Sequence, residues 1–147
     1  MSTKKKHTMN TNETVLPELK LHHIAVVVEN IQESMANYAV LFGKENISEV
    51  MTVDTSKVLL CLIKIADEVF LELVQPMGEE SSVYNLLKKR TSYYHMAYKV
   101  KDIHDTVARL EKLNYKPLNF FKSSVFQGKL CIFIYTPEAH MIELIEE

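Results

Sequence analysis

A chain of 147 residues with a formal net charge of −2 and a pI near 6.3 lacks the basic excess that nucleic acids and anionic membrane surfaces attract. Apolar residues make up 47% and charged residues 24%, enough to bury one domain's core without disulfides. No apolar run approaches the roughly 20 residues that span a bilayer, so a transmembrane helix is excluded.

Met1–Glu13 is polar and Lys-rich, without the apolar centre of a secretory signal. Residues 1–18 are expected to form a disordered tail and 19–147 one domain in the cytoplasm, the fold starting near Leu16–Leu21. Leu21–Val28 is rich in Val and Ile and reads as a strand. Asn30 then offers an N-cap with Glu33 at capping-box spacing, and Ile31, Met35, Tyr38 and Phe42 mark one apolar face of a helix that Gly43 ends. Strands are expected near Ile47–Val53, Val58–Ile65 and Val69–Val74. Ser82–Lys89 reads as a short connecting helix with Val83, Leu86 and Leu87 on one side. Tyr94–Val100 is the next strand. Asp102 caps a helix whose face is Ile103, Val107 and Leu110. Strands near Lys116–Phe120, Leu130–Tyr135 and Met141–Ile145 finish the chain. Cys61 and Cys131 sit in apolar stretches, outside any CxxC pair, and read as buried reduced thiols.

The chain repeats itself. His23-Ile-Ala-Val-Val-Val-Glu-Asn-Ile lies above His95-Met-Ala-Tyr-Lys-Val-Lys-Asp-Ile at an offset of 72 residues, and Ala36 again matches Ala108. Leu71-Glu72-Leu73-Val74 lies above Ile142-Glu143-Leu144-Ile145 at an offset of 71. The chain is therefore expected to be α+β, with two βαβββ modules in pseudo-twofold arrangement. Module 1 covers about 20–77, the connecting helix about 82–90, and module 2 about 92–147.

The repeated polar residues carry the functional signal. Glu72 and Glu143 lie inside strands whose other residues are apolar on both faces, and His23 and His95 sit in apolar strands in the same way. A lone strand histidine is usually structural, and a buried carboxylate without a partner costs several kcal/mol. Four such residues at repeat-equivalent places ask for one common partner. One divalent cation (Co, Mn, Ni, Zn or Fe) suits two imidazoles and two carboxylates, with coordination positions left for water or substrate.

The elements LHHIAVVVENIQESMANYAVLFG, VFLELVQPMGEESSVYNLLKKR, YYHMAYKVKDI and MIELIEE resemble the vicinal oxygen chelate (glyoxalase/bleomycin-resistance) superfamily over residues 20–147. Glu72-Leu-Val-Gln-Pro-Met-Gly, followed by Tyr-Tyr-His-Met-Ala-Tyr, looks most like methylmalonyl-CoA epimerases. The resemblance implies a half-open curved sheet or barrel around a metal held by His23, Glu72, His95 and Glu143, while His22 falls outside the ligand pattern. It implies a metal-dependent isomerase, epimerase or lyase, in which Glu143 removes a proton beside a metal-polarised carbonyl and Glu72 holds or shares it. It implies a small-molecule substrate such as an acyl-CoA or other thioester, and a homodimer.

The sequence departs from the epimerase pattern at Thr55-Ser56-Lys57, where that pattern carries Gln-Gly, and at Val58-Leu59-Leu60, where a general-base Glu is expected. A glyoxalase-I-type reaction, an extradiol-type dioxygenase and a non-catalytic drug- or metabolite-binding protein are the rival readings. Phe120, Phe121, Phe126 and Tyr98 are candidates for the substrate pocket, and Lys88, Lys89 and Arg90 for CoA phosphates. His140 and His104 read as surface residues.

Overall fold

Long β-branched runs with few glycines or prolines to interrupt them account for a strand-dominated chain. The computed structural model describes Leu16 and residues 18–147, so most of the expected tail lies outside the described residues. Leu16 and Leu19 pack against the core of the second module.

The first module runs β1 (Lys20–Val27), α1 (Ile31–Phe42), β2 (Met51–Val53), β3 (Val58–Ala66) and β4 (Val69–Pro76). After the short helix α2 (Tyr84–Lys88), the second runs β5 (Tyr93–Val100), α3 (Ile103–Glu111), β6 (Lys116–Lys122), β7 (Leu130–Tyr135) and β8 (Met141–Glu146). The eight strands form one mixed, curled half-barrel sheet in the order β2-β3-β4-β1-β5-β8-β7-β6. Each module places its first and last strands side by side and parallel, β1 with β4 and β5 with β8, and the modules join through the antiparallel pair β1–β5.

The two longer helices, α1 and α3, start as their sequences dictate. The Asn30 side chain accepts from the Glu33 amide and the Asp102 side chain from the Asp105 amide, each at 3.0 Å. The first helix ends at Gly43, whose φ of 86° lies where a side chain would be strained. Both helices cover the outer face of the sheet. Ile31, with Met35, Tyr38 and Phe42, packs on Cys61, Ile63, Leu71 and Leu73. Ile103, Val107 and Leu110 pack on Ile132, Ile134 and Leu144. Because strand residues alternate, Glu72 and Glu143 face the opposite, concave side.

Two elements are shorter than expected. Asn46 bonds back to the Phe42 carbonyl, Lys44–Asn46 forms a 3-10 turn, and the Ser48 hydroxyl accepts from the Leu62 amide, so regular pairing starts only at Met51. The connecting helix has five residues. Ahead of it, the Ser81 hydroxyl donates to the Ser56 carbonyl and Val83 buries itself in the module 1 core. Cys61 and Cys131 are free and buried, and burial pushes their thiols up to about 11 and about 12.

Candidate metal centre and cavity

The register of the four central strands builds the site. Across the sheet, Glu72 on β4 lies beside Ala25 on β1, which lies beside His95 on β5. In the neighbouring row, His23 on β1 lies beside Ala97 on β5, which lies beside Glu143 on β8. Each row reads Glu-Ala-His, and the pseudo-twofold axis exchanges one for the other. Both alanines are fully buried, and their single methyl groups leave room for the flanking side chains to lean together.

The four side chains converge. His23 Nε2 lies 3.2 Å from His95 Nε2, 3.3 Å from Glu143 Oε1 and 3.6 Å from Glu72 Oε2, and His95 Nε2 lies 3.5 Å from Glu143 Oε1. All four residues are buried. Metal–donor bonds of about 2.0–2.2 Å set neighbouring donors around one ion roughly 3.0–3.4 Å apart, so the spacings around His23 Nε2 suit a divalent cation. His23, Glu72 and His95 offer donor atoms that all lie within 4.8 Å of one another, and Glu143 stands beside the two histidines.

The two carboxylates differ electrostatically. Burial raises Glu72, as does the nearby Glu143 charge, and despite the opposing pull of His23 it reaches about 7. Burial also acts upward on Glu143, but in the absence of an ion its contacts with His23 and His95 outweigh it and bring it down to about 2.

The residue before each histidine breaks the strand's alternation. Leu21 pairs with Tyr98 and His23 with Ala97, leaving His22 as an extra residue. Ala25 pairs with His95 and Val26 with Tyr93, leaving Tyr94 as another. His22 Nδ1 lies 2.7 Å from His23 Nδ1. The Tyr94 ring stands edge-on to His95 at 4.4 Å. Burial, then the charges of His23 and Lys99, lower His22 to about 4. Burial and both glutamates raise the Tyr94 phenol.

Glu72, His95 and Glu143 form part of the wall of a cavity of about 420 Å3, whose other walls include Leu60, Val74, Tyr94, Phe121, Phe126 and Phe133. Thr55, Ser56, Ser82 and Ser123 add hydroxyl groups. Glu72 and Glu143 are the carboxylates among the described residues lining it.

A family model of the glyoxalase/bleomycin resistance protein/dioxygenase superfamily matches residues 22–135. The chain belongs to this superfamily. Among its relatives are two proteins named mitochondrial methylmalonyl-CoA epimerase. That of Dictyostelium discoideum is 30% identical over 132 residues, covering 87% of this chain and 78% of its own, and that of Homo sapiens is 24% identical over 118 residues, covering 79% and 66%. A structure of a Streptomyces coelicolor methylmalonyl-CoA epimerase variant in complex with 2-nitronate-propionyl-CoA shares the fold, with a TM-score of 0.76 at 20% identity over 88% of this chain and 99% of that one.

For this superfamily member, the sequence reading placed His23, Glu72, His95 and Glu143 together, and the structure brings them together. Of the candidate aromatics, Phe121 and Phe126 line the cavity. Phe120 is exposed beside His104, and Tyr98 packs against the outer core of module 2. Lys88, Lys89 and Arg90 are exposed and stand away from the cavity, which Lys122 lines instead. His104 and His140 are exposed, as expected. Tyr94 and Phe133 were missed. An aromatic next to a repeated histidine was the available signal for Tyr94, whereas Phe133 is placed opposite Glu143 only by the strand register.

Proposed function

We propose that this chain is a metal-dependent isomerase of the methylmalonyl-CoA epimerase type, with His23, Glu72, His95 and Glu143 holding one divalent cation. The observation that carries the reading is that buried His23 Nε2 meets donor atoms of His95, Glu143 and Glu72 at 3.2–3.6 Å, beside a cavity that the last three help to line. Relatives named as epimerases support the substrate class, an acyl-CoA thioester with an acidic proton α to the carbonyl.

A bound cation supplies Lewis-acid polarisation of a substrate carbonyl. The chain's own residues do the rest. Epimerisation removes a proton from one face of a carbon and returns one to the other, so it needs a base and an acid. Two carboxylates on the cavity wall provide such a pair. Glu143 takes the proton on a carboxylate oxygen. Glu72 shares the transfer to the opposite face, and the roles exchange for the opposite epimer. Thr55-Ser56-Lys57 and Val58-Leu59-Leu60 bring no further carboxylate to the cavity, so both roles fall to this pair. Phe121, Phe126, Phe133 and Tyr94 keep water away and strengthen every electrostatic contact inside. The chain acts as a homodimer in this reading.

Protein loaded separately with Co, Mn, Ni or Zn and given methylmalonyl-CoA in deuterated water is expected to exchange the α-proton and interconvert the epimers. Glu143→Gln should cut the rate about 100-fold or more. Absence of exchange with every metal would overturn the reading.

A further inference from the structure

Metal-binding histidines are ordinarily oriented by a partner on the ring nitrogen that does not face the ion. The two histidines of this site differ in that respect. His95 Nδ1 is buried and has no hydrogen-bond partner among the described residues. His23 Nδ1 faces His22 Nδ1 at 2.7 Å. From the geometry, resting on the metal-site reading above, we infer that His22 is a positioning residue which accepts the Nδ1 proton of His23 and so holds the His23 ring in the tautomer that aims a lone pair from Nε2 into the site.

The proton count decides the direction. Two imidazole nitrogens at this distance share one proton: two would repel, and with none the lone pairs would collide. His23 Nε2 is the atom that meets His95, Glu143 and Glu72. To offer a lone pair there, a neutral His23 carries its proton on Nδ1. That nitrogen therefore donates and His22 Nδ1 accepts, which puts the His22 proton on Nε2. His22 also borders a second cavity of about 500 Å3.

The backbone is built for this contact. Regular alternation would send the side chains of residues 22 and 23 to opposite faces of β1. The bulge at residue 22 turns His22 to the face of His23 instead. Its ring is then held by Phe70 at 5.3 Å and Phe126 at 5.1 Å, and Phe126 also stacks on His23 at 5.5 Å. An aromatic placed only to fill this space would not need a nitrogen aimed at another nitrogen.

The test compares metal affinities, with Zn2+ as the probe and competition against a chelating indicator as the readout. His22→Phe keeps the ring and loses the acceptor. It is expected to bind Zn2+ about 10–100-fold more weakly than wild type, while the melting temperature of the metal-free protein stays within a few degrees. His22→Asn places an amide oxygen near the former Nδ1 and should recover most of the loss. Zn2+ bound by His22→Phe as tightly as by wild type would overturn the inference, and so would equal weakness of both variants. If wild type itself takes up no metal, it is the metal-site reading that falls. A readout independent of variants is nitrogen-15 NMR of the histidine rings in the Zn2+-loaded wild type. The inference requires the proton on Nδ1 of His23 and on Nε2 of His22, and a His22 protonated on Nδ1 would refute it.

Discussion

The two modules place their shared chemistry alike and support it differently. Each contributes one His and one Glu, set by the same Glu-Ala-His row, and each strand carries a bulge one residue ahead of its histidine. Yet the bulged residue is His22 in module 1, hydrogen-bonded to its neighbour, and Tyr94 in module 2, which offers His95 only a ring edge. The helices diverge as well. Helix α3 buries Ile103, Thr106, Val107 and Leu110, whereas α1 buries Ile31 alone and leaves Val40 and Leu41 exposed. The repeat thus dictates where donor atoms go, and the unrepeated neighbours decide how each is held and charged.

Matched substitutions test how far the equivalence extends. The largest effect is expected at the histidines. His23→Ala and His95→Ala should each drop metal content from about one ion per chain to near none by elemental analysis, and a full complement retained in either variant would make that module dispensable to the site. Next come the core leucines. Leu73→Ala and Leu144→Ala occupy equivalent, fully buried positions on the helix-facing side. Each should cost about 2–5 kcal/mol in urea unfolding, and a much smaller loss on one side would show that its module packs loosely.

The carboxylates should then break the symmetry. At pH 6 a Glu72 with its pKa near 7 is mostly protonated, so an entering metal must displace that proton; at pH 8 it is mostly ionised already. Glu143, near 2, is ionised throughout. Proton release measured by calorimetry in buffers of different ionisation enthalpy should therefore contain a contribution of up to about one proton that fades as pH rises through 7. Glu72→Gln should remove that contribution, and its survival in this variant would assign it elsewhere. The smallest effect is at the helix caps: Asn30→Ala and Asp102→Ala should each cost about 1 kcal/mol by thermal unfolding, since both accept one amide at the same 3.0 Å.

Much of this was legible in the sequence because it rests on local periodicity and on the repeat. The strand that ends the first module and the two that end the second, both caps, and the meeting of His23, Glu72, His95 and Glu143 all follow from patterns a few residues long, doubled. What was hidden depends on pairing between distant strands. Neither the bulge that turns His22 inward nor the one at Tyr94 leaves a mark in the residues around it, because a bulge is a property of two strands in register. Ala25 and Ala97 were visible as repeat matches, but their role as low ground between a glutamate and a histidine appears only once β1 and β5 are aligned. The early polar stretch of module 1 misled by its length: the Asn46 side chain bonds back to Phe42, the Ser48 hydroxyl takes the Leu62 amide, and the strand contracts to Met51–Val53.

The seam between β1 and β5 is where the strands of the two modules join, and the donor atoms straddle it two and two. Neither half can assemble the set alone, so on the proposed reading an ion that binds there binds only the docked pair. By mass action it then acts as a rivet between the halves, adding about 2.7 kcal/mol to their association at a free-ion concentration one hundred times the dissociation constant. Removing the ion would loosen the molecule along one line, the join of its two copies, rather than everywhere at once.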